Sequence, residues 1–106
     1  MAKQSEAEKL NKAKTERALP ADINAEAALL SAMLIDSEVV SKGIEKIKEE
    51  YFYRNVHKLI FRTMQELFFE GIEIDQLTLI NRLERNNLLE KVGGIPYINE
   101  IADFVV

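Results

Sequence analysis

The chain has no cysteine, so a disulfide framework, a thiolate metal site and a cysteine nucleophile are all excluded. Its longest purely apolar runs are a few residues, too short to cross a bilayer. No apolar h-region follows the charged N-terminus, so no signal peptide is expected. Cysteine-free composition fits a reducing cytosol, and a cytoplasmic location is the expectation. Cations are also scarce where they would matter. Residues 1–19 hold five Lys/Arg against three Glu, a net +2, while residues 20–106 hold nine Lys/Arg against fifteen Asp/Glu, a net −6. Phosphate backbones need clustered cations, so the acidic body is a poor nucleic-acid platform. What remains is ordinary globular material in 106 residues, 47% apolar and 30% charged, enough for one modest core.

Residues 1–21 read as a solvated, flexible tail with few large aliphatics, and residues 22–106 as the domain. Asn24 is expected to cap the first helix, with Glu26 facing its own dipole from the first turn. Ile23, Ala27, Leu30 and Leu34 then point inward at helical spacing. Asp36-Ser37-Glu38 caps a second helix with Val39 or Val40, Ile44 and Ile47 on one face, and Gly43 there allows close packing. The strongest helix carries Val56, Leu59, Ile60, Met64 and Leu67 on one wide face, extended by Phe61 and Phe68, which makes it central. Gly71 suits a left-handed C-cap. Asp75 is the N-cap of a fourth helix with Leu79, Ile80 and Leu83 inward, closed by Asn86-Asn87. Tyr97, Ile98, Ile101 and Phe104 carry the last helical spacing. Apart from "GIEID", nothing alternates at period two. The fold class is all-α, a compact bundle of five to six short helices.

Candidate chemistry is thin. His57 has no carboxylates at ligand spacing on its face, so it reads as a packing or hydrogen-bonding residue at the start of the central helix. Glu49-Glu50 and Glu70, Glu73 and Asp75 fall in caps and connections, where acids are structural. Arg82 and Arg85 read as a solvated face. The pair Gly93-Gly94 lacks the Lys-Ser/Thr of a phosphate loop. Pro96 after it has no backbone N–H to offer an anion and suits the first position of a helix. Gly93 and Gly94 are therefore expected to supply positive φ for a tight reversal. No catalytic residue, cofactor-binding residue or metal ligand is assigned, which points to an interaction module.

Three stretches together resemble a known family: "NAEAALLSAMLID" (24–36), "YFYRNVHKLIFRTMQEL" (51–67) and "GIEIDQLTLINRLERNNLLEKVGGIPYINEIA" (71–102). Their order and spacing are similar to the N-terminal domain of bacterial replicative DNA helicases of the DnaB family. Ala27-Ala28 departs from the family's more polar pair, and alanine suits a helix there. The resemblance implies a collar domain that supports dimer and trimer-of-dimers contacts in a hexamer and docks primase or a helicase loader. It implies that ATP and Mg bind a RecA-like C-terminal domain beyond residue 106. That domain would also make most DNA contacts, so this part has no cofactor, no enzyme activity of its own and no membrane partner. Ile95, Tyr97 and Phe104 are the candidate protein–protein contacts. Ile95, apolar and in a connection, either nucleates a subunit contact or caps the small core. The rival readings are the helicase-binding helical region of a primase, a helix-turn-helix regulator without a basic recognition helix, and a small enzyme without a convergent site.

Overall fold

A computed structural model describes residues 20–104. Of the tail expected at residues 1–21, residues 1–19 lie outside the described residues, and residues 20 and 21 belong to the first helix instead. Five α-helices follow one another: α1 (Pro20–Ile35), α2 (Ser37–Lys46), α3 (Asn55–Phe69), α4 (Gln76–Arg85) and α5 (Gly94–Ala102), with a 3-10 turn at Glu49–Tyr51. No strand occurs among the described residues, "GIEID" included. The all-α expectation holds.

α1 starts a turn earlier than expected. Pro20 is its first residue, where a preset φ helps and a missing N–H costs nothing. Asp22 then occupies the acidic first turn. Asn24 is therefore an exposed residue inside the helix, not its N-cap, and Glu26 lies beyond the first turn.

α1 packs against α2, α3 and α5, while α4 bridges α3 and α5. Leu30, Met33, Ile60, Phe61, Met64, Leu79, Leu83 and Ile98 are wholly buried between them. α3 is the central element as its sequence implied, presenting His57, Ile60, Phe61, Met64 and Leu67 to the interior. Phe68 reaches only the rim of that face, and Phe69 is 74% exposed. In α2, Val40 rather than Val39 is the buried valine. Gly43 admits Met33: a Cβ there would stand 3.3 Å from the Met33 sulfur.

Local chemistry sets the helix ends. The Asp36 carboxylate accepts from the Glu38 amide at 2.9 Å and opens α2. Asp75 and Thr78 form a reciprocal capping box on α4. Three reversals then use one device, in which an amide five residues on closes a loop over a positive-φ residue. At α3 the Ile72 amide bonds the Leu67 carbonyl with Gly71 at φ 73°. At α4 the Leu88 amide bonds the Leu83 carbonyl with Asn87 at φ 58°. Before α5 the Gly94 amide bonds the Leu89 carbonyl with Gly93 at φ 103°. Gly93 has a second requirement, because a Cβ there would stand 2.8 Å from the Tyr97 Cβ. Gly94, at φ 74°, also lies in the left-handed region as expected. Pro96 sits third in α5, still in the first turn, where its missing N–H breaks no helical bond.

Candidate functional site

The most connected polar cluster joins α1, the start of α3 and α5. Glu26, on α1, lies in phase with Leu30 and Met33, which aims a carboxylate at the interior. α3 begins there without a side-chain cap of its own. Glu26 supplies the cap from the neighbouring helix. Its carboxylate accepts from the Tyr53 amide and, at 3.3 Å, from the Arg54 amide. It also stands 2.7 Å from His57 Nδ1. The acid does face a helix dipole, but that of α3 instead of its own.

His57 is wholly buried. Its Nε2 lies 2.6 Å from the Tyr97 hydroxyl, and the two rings stack with centroids 6.0 Å apart. Arg54 Nη1 donates to the same hydroxyl at 3.1 Å. A guanidinium has only donors and an ionised carboxylate only acceptors, so the direction of the whole chain follows for a neutral imidazole. Arg54 donates to the tyrosine oxygen, the tyrosine O–H donates to Nε2, and Nδ1–H donates to Glu26. Every proton in the series has an acceptor when the imidazole is neutral. Burial pushes His57 below its ordinary 6.5, outweighing the hydrogen bond and charge of Glu26, which raise it. Burial also raises the Tyr97 hydroxyl above its ordinary range. The hydrogen-bonding reading of His57 is thus the observed one.

A second cluster corrects the reading of the arginines. Arg82 is only 7% exposed. It grips Glu70 with two nitrogens, at 2.6 and 2.9 Å, and Glu66 with one, at 2.7 Å. Glu70 is the C-cap residue of α3, where the helix dipole disfavours a carboxylate. Arg82 offsets that and holds the Glu70 carboxyl below its usual range. Arg85 alone stays on the exposed face. Among the described residues, no group of three or more His, Cys, Asp or Glu is arranged to hold a metal ion. None leaves a buried side-chain polar atom without a partner.

The three candidate contact residues part company. Ile95, in the first turn of α5, is 47% exposed, which favours the contact reading over the core cap. Tyr97 is half-buried with its hydroxyl turned inward. Phe104 is half-buried and lies past the end of α5, with its carbonyl accepting from Ser31 Oγ at 3.2 Å. The expected helical spacing therefore stops at Ala102. Sequence reasoning misses the role of Glu26, although a signal exists: an acid in phase with core positions, in a chain with one histidine, needs a buried partner.

The comparisons bring in the family. A family model described as "DnaB-like helicase N terminal domain" matches residues 18–106. "Replicative DNA helicase DnaB" of Geobacillus stearothermophilus is 35% identical over 91 residues, covering 86% of this chain and 20% of the relative. "Replicative DNA helicase DnaC" of Bacillus subtilis is 34% identical over 90 residues, covering 85% of this chain and 20% of the relative. The chain thus spans about a fifth of the length of these relatives. The crystal structure of the N-terminal domain of DnaB helicase from Mycobacterium tuberculosis matches with a TM-score of 0.75 at 28% identity, over 78% of this chain and 59% of that one. The three family-like stretches contain Glu26, Tyr53, His57 and Tyr97. The matched residues, the shared fold and the relatives' names converge, and the chain belongs to the family of DnaB-like helicase N-terminal domains.

Proposed function

We propose that this domain is the collar module of a replicative DNA helicase and acts through protein contacts. It supports subunit pairing within a hexameric ring and docks primase or a helicase loader. ATP, Mg and most of the DNA are handled by a C-terminal RecA-like domain outside this chain. The observation that carries the contact role is Ile95. It is a branched aliphatic, 47% exposed, on a turn held by Gly93 on one side and by the Tyr97 hydrogen bonds on the other. A rigid exposed aliphatic anchors an interface at low entropic cost. The body it stands on is acidic, which suits protein partners better than phosphate.

The test is Ile95→Asp, with sedimentation for association and circular dichroism for helicity. Weaker self-association at native helicity is expected. Unchanged association at native helicity removes Ile95 from the interface, and lost helicity returns it to the core.

A further inference from the structure

His57 is the one histidine in the chain, wholly buried, and each of its ring nitrogens is engaged from a different helix. The charged groups acting on it are Glu26 from α1 and Arg54 from the segment before α3. The titratable group from α5 is Tyr97, itself under the influence of Arg54, Glu100 and Glu26. The chain of donors is satisfied in one direction only.

We infer that the Arg54–Tyr97–His57–Glu26 chain is a proton-operated latch that holds the first turn of α5 and releases it when Nε2 is protonated. The added proton occupies the lone pair that accepts from Tyr97. The tyrosine O–H then has no acceptor in the cluster, and its oxygen faces two donors, Nε2–H and Arg54 Nη1–H. Imidazolium and guanidinium also place two positive charges about one hydroxyl. Glu26 still accepts from Nδ1–H, so His57 stays tied to α1, and the Tyr97 side yields. α3 cannot shift to relieve the conflict, because its own Ile60, Phe61 and Met64 are wholly buried. The first turn of α5, ahead of the wholly buried Ile98, can. Its N-terminus hangs on two successive positive-φ glycines, and Gly93 touches the base of Tyr97. The lowered basicity of His57 puts the release below neutral pH.

The test uses the 106-residue chain labelled with ¹⁵N, whose single imidazole is unambiguous. At about pH 7.5 the ring is expected neutral with the proton on Nδ1, and it titrates below its ordinary pH. As it does, protection of the Gly94, Tyr97 and Ile98 amides from hydrogen exchange falls by about tenfold or more, while amides 60–67 of α3 keep theirs. His57→Gln is expected to abolish this step. The latch is overturned by a ring that carries its proton on Nε2, by titration without loss of protection at Gly94, Tyr97 and Ile98, by equal loss in α3, or by the same step in His57→Gln. Should that variant fail to fold, the tautomer and the two protection profiles of the unaltered chain decide alone.

Discussion

Replacing Glu26 by alanine separates two accounts of one residue. If Glu26 served only the dipole of its own helix, its loss would cost about 0.3–1 kcal/mol. The geometry requires more. The carboxylate accepts from Nδ1 of a wholly buried histidine, and an orphaned buried donor costs about 1–3 kcal/mol. It also accepts from the Tyr53 and Arg54 amides at the uncapped start of α3, and loss of such a cap costs about 1 kcal/mol. These losses share one carboxylate and do not simply add, so the expected destabilisation is about 2–4 kcal/mol. Urea unfolding followed by circular dichroism at 222 nm measures it, with an unchanged m-value as the check that the unfolding remains two-state. Glu26→Gln should fall between the two, because an amide oxygen still accepts but carries no charge. A Glu26→Ala loss below about 1 kcal/mol would refute the account of Glu26 as the cross-helix cap.

Gly93→Ala should destabilise more than Gly71→Ala. Both residues have positive φ, but only at Gly93 does an added Cβ collide, with Tyr97, whereas Gly71 faces open space. Left-handed strain alone is worth about 1–2 kcal/mol, so thermal melts should rank the pair with Gly71→Ala near that value. Arg82→Ala should lower the melting temperature while Arg85→Ala leaves it nearly unchanged, since Arg82 and not Arg85 forms the ion pairs with Glu66 and Glu70; equal effects would contradict the observed pairing. Stability should also depend on pH through His57. Its folded basicity lies below the ordinary 6.5, so the unfolded chain binds the proton more readily. The stability contributed by neutral His57 is therefore intact above 6.5 and lost as pH falls from there to the folded value. The urea midpoint measured on either side of this window, with His57→Gln lacking that part of the slope, checks it.

The punctuation of the fold is legible in the order of residues alone. Asp36, Gly71, Asp75, Asn87 and Gly93 act through bonds to groups at most a few residues away, so their neighbours in sequence suffice to read them. The apolar spacing of α3 is equally plain, because burial of one face is periodic. Met33 and Phe52 escape the sequence reading as core residues, although Met33 follows Leu30 in phase. The start of α1 is misplaced by it because two good signals compete, Pro20 and Asn24, and the proline lies a turn upstream.

The tertiary structure decided what the polar side chains do. Glu26 meets His57 across 31 residues, His57 meets Tyr97 across 40, and Arg82 meets Glu70 across 12. A side chain's propensity and phase say which way it points, and only the neighbouring helix says what it meets. A carboxylate beyond the first turn of one helix thereby became the cap of another, and an arginine assigned to solvent became the counter-charge of a disfavoured C-cap. The sequence by itself determined the all-α class, most helix ends and family, because those rest on local conformational preference and residue order. Packing determined partners and protonation, because both depend on distance and burial, which exist only once the helices have met.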